Sequence, residues 1–161
     1  MTLTKVQDGG LNLTSAGLPT GSVKHFSTAE LAGDKSQTTT STTYVSTGAT
    51  ITIPAATVAT LSKLIITANG SMRVDKNDHS FVDVRLQRTA PSAVEFAPVT
   101  GGDTAGGLES YPNTTVTAID SSLGTGDHTY TVYVRKSTGN ATYAGTIYYN
   151  YEGHRLMAVG T

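Results

Sequence analysis

Two segments of the chain alternate strictly between apolar and polar side chains, and this two-residue period is the feature that most constrains the fold. FVDVRLQR (81–88) places one apolar set on a single side, namely Val82, Val84 and Leu86. HTYTVYVR (128–135) does the same with Tyr130, Val132 and Val134. Successive side chains of a β-strand point to opposite faces of its sheet. Each segment is therefore predicted to be a strand with one face in a core.

Further strand patterns follow one another from Thr43 onward. They are TYVST (43–47), TITIP (50–54), KLIITA (63–68), SMRVD (71–75), TTVTAI (114–119), ATYAGTIYYNYE (141–152) and RLMAV (155–159). The continuous apolar run of KLIITA predicts a central strand, and Asn69-Gly70 after it predicts a turn. About nine short strands without a confident helix predict an all-β fold, an antiparallel β-sandwich or jelly roll.

The composition agrees with β structure and excludes several classes of function. Only 14% of the residues are charged, against about 25% in a typical domain. The 11 basic and 12 acidic residues leave no basic stripe, so no nucleic-acid partner is expected. No apolar run approaches the roughly 20 residues of a membrane helix, so no membrane partner is expected either. The opening MTLTKVQDGG lacks the apolar core of a signal peptide, which predicts that the protein is not exported by the usual route.

The chain divides into an arm and a head in this interpretation. Residues 1–42 are predicted to form an extended N-terminal arm and linker, with at most one helical turn near residues 27–31, and residues 43–161 form the head. The arm carries scattered apolar residues that need a surface to cover them, and a disordered tail is usually poorer in such residues. We expect these to bind a partner: Leu3, Val6, Leu11, Leu13, Leu18, Val23 and Phe26.

A search for chemistry finds no catalytic pattern. There is no Gly-x-Ser-x-Gly elbow, and none of the four histidines pairs with another at metal-ligand spacing. The chain contains no cysteine, which removes disulfides and thiolate sites. We predict no catalytic, cofactor-binding or metal-binding residues, no cofactor, and a protein that is not an enzyme.

Tyrosine is the informative residue of the last third of the chain. Tyrosines fall on both faces of the strand TIYYNY (146–151), and a large apolar ring with a polar tip suits protein interfaces. We expect a subunit interface at Tyr133, Tyr148, Tyr149 and Tyr151. Packing inside the sandwich and stacking on a host glycan remain the alternatives for these side chains.

The sequence resembles small structural proteins of tailed bacteriophages, of the cyanophage decoration-protein and tail-fibre-head type. The resemblance lies in LPTGSVKHF (18–26), in TTYVSTGATITIPAATVATLSKLIITANGS (42–71), in FVDVRLQRTA (81–90) and in IDSSLGTGDHTYTVYVRKSTGNATYAG (119–145). Together these segments cover most of residues 18–160, and they are patterns of strand and turn. No coiled-coil heptads and no repetitive shaft are present, which favours a short protein seated on the virion surface over a long fibre.

The resemblance implies a virion protein, assembled in the host cytoplasm, with a jelly-roll-like head that forms a homotrimer. Its implied partners are the major capsid protein or other virion proteins, and itself. Two roles are open: a cement or decoration protein that bridges capsid subunits, or a short tail-fibre or head-fibre protein that recognises a host surface glycan.

Overall fold

The computed structural model of the protein describes residues 22–31, 37–39, 41–74, 82–101, 113–136 and 147–161. In these residues, ten strands and one helical turn follow one another. They are β1 (His25–Leu31), β2 (Gln37–Thr39), β3 (Val45–Ile53), α1 (Ala55–Val58), β4 (Leu64–Val74), β5 (Val82–Ala90), β6 (Val94–Glu95), β7 (Val99–Gly101), β8 (Asn113–Asp120), β9 (His128–Lys136) and β10 (Ile147–Gly160).

The strands form two antiparallel sheets that pack as a sandwich. The first sheet, called sheet A, has the order β1-β10-β4-β8, with β2 also paired to β10. The second, called sheet B, has the order β3-β9-β5-β6, with β7 also paired to β5. When β1 with β2 and β6 with β7 are each taken as one position, the two orders are those of a jelly roll. Consecutive strands then pass from one sheet to the other, except that β5 and the β6/β7 position lie in the same sheet. The predicted fold class is therefore confirmed.

The core lies between the two sheets and is built from the alternating apolar residues of each strand. Sheet B supplies Ile51, Ile53, Val82, Val84, Leu86, Tyr130, Val132 and Val134, and sheet A supplies Leu64, Ile66, Ala68, Val116, Ala118, Leu156 and Ala158. The burial of every second residue on β5 and β9 confirms the two strands that the alternation predicts.

A buried polar network ties the two sheets together at one end. The Asp120 carboxylate, at the end of β8 in sheet A, accepts hydrogen bonds from Arg88 Nη1 at 2.7 Å and Tyr130 Oη at 2.8 Å, both from sheet B. Its other oxygen accepts from the backbone N–H and the hydroxyl of Ser122. Burial alone would raise the pKa of Asp120, but the bonds from Tyr130 and Ser122 and the Arg88 charge outweigh it and lower this pKa. Burial and the neighbouring carboxylate raise the pKa of Tyr130, so the phenol stays a donor.

At three places the sequence predicts two separate strands, and the structure has one continuous strand with a bulge, a register shift or a glycine inside it. β3 runs through Gly48, whose φ of 78° fits a bulge between Ser46 and Thr50, and Thr47 Oγ1 donates to Val132 O across it. β4 runs through Asn69-Gly70, because that dipeptide is paired on both sides, with β8 and with β10. β10 is a single strand from residue 147 to 160, with a register shift in its middle in place of a turn.

The predicted linker over residues 27–42 is also wrong in two places. Residues 25–31 form β1, which pairs with β10 from His25 opposite Gly160 to Leu31 opposite His154, and no helical turn occurs there. Residues 37–39 form β2, which pairs with β10 further along. Because β10 lies between these strands and β4, the chain joins sheet A well before Thr43. Residues 1–21, where most of the predicted arm lies, fall outside the described part of the chain.

Candidate assembly surface

Each sheet has an outer face, turned away from the core, and the two outer faces differ in chemistry. The outer face of sheet B, called the polar face, carries charged and aromatic side chains close together. Its members are Tyr44, Asp83, Arg85, Glu95, Thr100, Tyr133 and Arg135. The outer face of sheet A carries apolar residues and threonines in its middle, with Lys24 and Lys63 on one side of them and Arg155 and Asn69 on the other.

The charged groups of the polar face neutralise one another. Asp83 is almost fully buried, and its two oxygens accept from Arg135 Nε at 2.9 Å and from Thr100 Oγ1 at 2.6 Å. Arg85 Nη2 donates to Glu95 Oε1 at 2.8 Å. Both arginines of this face are thus already paired with carboxylates of the same sheet, which leaves no concentrated charge for an ionic ligand.

The aromatic rings of the polar face are covered by the same arginines. The Arg85 guanidinium lies 3.9 Å from the centre of the Tyr44 ring, and that of Arg135 lies 4.5 Å from it. Arg85 also lies 5.8 Å from the centre of the half-buried Tyr133 ring. Burial raises the pKa of Tyr44, although the Arg135 charge opposes this. These stacks give the tyrosines partners within the chain.

A row of four apolar side chains crosses the outer face of sheet A, one from each strand. Phe26 of β1 pairs with Val159 of β10, Val159 pairs with Ile65 of β4, and Ile65 pairs with Ile119 of β8. Directly opposed residues of antiparallel strands project from the same face. Phe26, Val159, Ile65 and Ile119 are called the apolar row below.

The apolar row is exposed, most of all at its ends. Four large apolar side chains of the described residues are strongly exposed, and two of them are the ends of the row, Phe26 at 62% and Ile119 at 62%. Val23, just before β1, is a third at 58%. Val159 and Ile65 are half-buried, because strands flank them on both sides. An exposed contiguous apolar patch on a soluble protein marks an interaction surface.

Neutral residues flank the apolar row on one side, whereas Lys24 and Lys63, two residues before Phe26 and Ile65, flank it on the other. The next row on the same face consists of Thr28, Met157, Thr67 and Thr117, by the same strand register. The hydroxyls of Thr67 and Thr117 are 3.2 Å apart and bond to each other. One row further, Asn69 Nδ2 donates to Thr115 Oγ1 at 3.0 Å. Thr67, Thr117, Asn69 and Thr115 therefore have hydrogen-bond partners within the chain.

The predicted site residues fall into three groups in the structure. Val23 and Phe26 are described and exposed at the root of the arm, while the other five arm residues, Leu3, Val6, Leu11, Leu13 and Leu18, lie outside the described residues. Tyr133 lies on the polar face. Tyr148 and Tyr149 belong to a stretch of β10 that pairs with both β2 and β4, and Tyr151 follows on the same strand. The side chains of these last three tyrosines are outside the description.

Reasoning from sequence missed the apolar row, although a signal for it exists. Leu64-Ile65-Ile66, Ala118-Ile119 and Ala158-Val159 place consecutive apolar residues on three strands of one sheet. A strand with one face in solvent alternates between apolar and polar residues. Consecutive apolar residues therefore indicate a strand whose two faces are both buried. That a single row joins these residues depends on strand register, which the sequence does not contain.

The described residues were compared with the requirements of a metal site and of a membrane-spanning helix. None of their His, Asp and Glu side chains gather in a group of three or more that could hold a metal ion. Within the same residues, no helix is long and apolar enough to cross a membrane. Among the surfaces described above, the apolar row is the one that leaves large apolar side chains exposed.

Comparison with known proteins gives fold neighbours only. Similar solved structures include infectious bursal disease virus of the Gt strain, with a TM-score of 0.48 and 11% identity over 84% of this chain and 33% of that chain. They also include the VP2 subviral particle of infectious bursal disease virus, with a TM-score of 0.48 and 11% identity over 86% of this chain and 38% of that chain. This chain therefore spans little more than a third of those neighbours. No protein-family model matches the sequence, and no curated protein matches it significantly.

Proposed function

We propose that the protein is a structural protein of a virion, a trimeric capsid decoration protein that stabilises the head by bridging capsid subunits. The observation that carries the proposal is the exposure of Val23 and Phe26 at 58% and 62%, at the point where the arm joins sheet A. Residues 1–21 continue from there with five more leucines and valines. Apolar side chains at the root of such an arm favour a protein surface as their partner.

The energetics of the arm favour attachment through several copies. Each apolar arm residue buried against a capsid subunit contributes about 1.5–3 kcal/mol. Ordering the arm costs about 1–2 kcal/mol per residue in backbone entropy. The apolar contacts therefore offset only part of the ordering cost of one arm, so attachment also needs polar contacts of the arm or of the head, and several copies on one particle raise the effective concentration of each arm.

The polar face gives no specific support to the receptor-binding role. A sugar that stacks on tyrosine needs a free ring face, and Arg85 lies over Tyr44 and close to Tyr133. These contacts therefore do not favour a fibre protein that recognises a host glycan.

The proposal is tested by the binding of purified protein to virus particles that lack it. We expect the full chain to co-sediment with the particles, whereas a chain without residues 1–21 keeps its β circular-dichroism spectrum and stays in solution. Val23→Asp should weaken binding, because it places a charge on the contact at the arm root. Thr50→Lys, an exposed change on sheet B, is the matched control and should bind normally. Full occupancy by the truncated chain would show that the arm is not the anchor.

A further inference from the structure

The apolar row lies at one end of sheet A, and residues 1–21 join the described chain at that same end. Phe26 and Ile65 are the second residues of β1 and β4, whereas Val159 and Ile119 are the last but one of β10 and β8. Since β1 runs away from this end, the chain that precedes it begins beside the row, at the exposed Val23. Residues 1–21 therefore start within a few residues of apolar side chains that the described residues leave exposed.

The other segments outside the description join sheet A at the opposite ends of its strands. The nearest of these junctions, Leu31, lies five residues along β1 from Phe26, or about 17 Å. An internal segment must also return to the next strand. Residues 102–112, the longest of these segments, would need about 40 Å of extended chain to reach Ile119 and come back, which is about all that their length allows. Residues 1–21 are therefore the segment best placed to cover the row.

We infer that the arm of the same chain, through residues 9–21, covers the apolar row when the protein is free. The strands lie about 4.8 Å apart, so the row is about 14 Å long and four or five extended residues span it. The 21 residues of the segment reach at most about 70 Å, which leaves ample length for this path. The inference concerns the free chain and goes beyond the proposed function, because on a particle the same residues would leave the row for a capsid subunit.

The sequence of the arm suits such a path. Leu18-Pro19-Thr20-Gly21 has proline at the second place and glycine at the fourth, as a type I turn prefers. A turn there directs the chain from the start of β1 back toward the row. Leu11-Asn12-Leu13 then places two leucines on one side of an extended segment, about 6.8 Å apart.

The charge pattern favours this segment over a second copy of the row. Lys24 and Lys63 flank the row on one side, and a second copy packed on it would bring two further lysines to the same face. Residues 9–21 contain no charged side chain, so they can lie beside these lysines without like-charge contact.

The contact needs little ordering and removes apolar surface on both sides. Only the few residues that lie on the row lose conformational freedom, and they cover Phe26 and Ile119, each 62% exposed, while their own leucines leave water. The chain itself is the tether, which keeps the segment at a high effective concentration near the row. A weak contact is therefore sufficient, and it can be exchanged for another apolar surface.

The first test is disulfide trapping in the full chain, which has no native cysteine. Leu13→Cys with Ile119→Cys places one thiol on the arm and one on the row. Leu13→Cys with Thr60→Cys is the matched control, because Thr60 is exposed and its carbonyl oxygen lies 3.4 Å from Lys24 Nζ, close to the arm root. We expect mild oxidation to close the row pair within one chain at least about tenfold faster than the control pair.

Two results of this experiment would overturn the inference. One is a row pair that oxidises no faster than the control pair, as an arm without a preferred position would give. The other is a product that links two chains even at high dilution, which would assign the row to the arm of another copy.

The second test leaves the arm unchanged and alters only the row. Thermolysin cleaves before leucine, so its cleavage at Leu11 and Leu13 measures how accessible the arm is. We expect Ile119→Asp to speed this cleavage several-fold over wild type, because a charge on the row disfavours apolar contact. Thr50→Asp, an exposed change on sheet B, is the control and should leave the rate unchanged. Equal rates in all three proteins would show that the arm does not lie on the row.

Both measurements use the free protein and are independent of attachment to the virion. A row pair that is trapped in a protein that does not bind particles keeps the inference and rejects the decoration role. A protein that binds particles, but whose two thiol pairs oxidise equally, keeps the decoration role and rejects the contact between arm and row.

Discussion

The two outer faces of the sandwich differ in whether their side chains find partners within the chain. On the polar face, Asp83, Arg85 and Arg135 find ionic and aromatic partners within the chain. On sheet A, Phe26 and Ile119 remain exposed at the two ends of a continuous apolar row. The polar face thus pairs its charged groups within the chain, whereas the apolar row leaves the large side chains of Phe26 and Ile119 exposed.

The largest expected effect comes from breaking the buried polar network that joins the two sheets. Asp120→Leu leaves the Arg88 charge buried without its carboxylate, since Arg88 is only 4% exposed. We expect a loss of about 3–5 kcal/mol in the free energy of unfolding, measured by urea denaturation. The double variant Arg88→Met with Asp120→Leu should recover part of this loss, because it removes the unpaired charge while the buried Tyr130 hydroxyl still lacks its acceptor. Equal losses in the single and double variants would show that the charge balance is unimportant.

The same network predicts a dependence of stability on pH. The folded-state pKa of Asp120 lies below its ordinary value of 3.8. Below pH 4 the unfolded chain therefore binds a proton more readily than the folded chain does, and the stabilisation present above that pH is lost as the pH falls through the folded-state pKa. Urea unfolding at pH 7 and pH 3 should show the loss, and the Arg88→Met, Asp120→Leu double variant should show less of it. An equal loss in the double variant would assign the effect to other carboxylates.

A change at one residue of β10 should disturb sheet A and spare the polar face. A Cβ added at Gly160, next to Val159 of the row, would lie 2.5 Å from Leu61 Cδ1 and 3.1 Å from His25 Cβ. We expect Gly160→Ala to cost about 1–3 kcal/mol in unfolding free energy, as overpacking does. Gly124→Ala, where a Cβ would meet nothing within 4 Å, is the control and should be close to neutral. Equal effects of the two substitutions would argue against the close packing of β10 on Leu61.

Removing the central arginine of the polar face should have a smaller effect. Arg85→Ala loses the stack on Tyr44 and the bond to Glu95, which is 61% exposed. We expect a loss of about 1–2 kcal/mol in unfolding free energy and no change in the mass of the assembly, because the face serves the single chain. Dissociation of the trimer in Arg85→Ala would instead place the subunit contact on the polar face, near Tyr133.

The apolar row should show the smallest effect on the folding of the single chain. Ile119→Thr alters an exposed side chain with no core contact, so the unfolding free energy of the dissociated chain should change by less than about 0.5 kcal/mol. A large loss of single-chain stability would indicate that Ile119 serves the fold and not assembly.

How far the sequence predicts this molecule depends on whether a feature is local. The alternation of β5 and β9 is visible in consecutive residues, and the structure follows it closely. The break at Asn69-Gly70 was predicted from turn propensity, yet pairing with β8 and β10 on both sides keeps β4 extended there. The apolar row joins residues as distant as Phe26 and Val159, and only strand register brings them together.

The residues at the root of the arm are a second feature whose position the sequence does not predict. Val23 and Phe26 are visible in the sequence as apolar residues without a period, which predicts a partner but not its place. Their position at the start of β1, beside the row, follows from the pairing of β1 with the end of β10. The sequence therefore predicts which apolar residues need a binding partner, and the fold shows where on the molecule these residues lie.

The most direct test of the decoration role is the heat resistance of virus particles with and without the protein. A protein that bridges capsid subunits stabilises the particle, so particles that lack it should release their genome at a lower temperature than complete ones while they adsorb to cells normally. Added wild-type protein should restore the higher release temperature, and the chain without residues 1–21 should not. Normal heat resistance together with lost adsorption would contradict decoration and select the receptor-binding role.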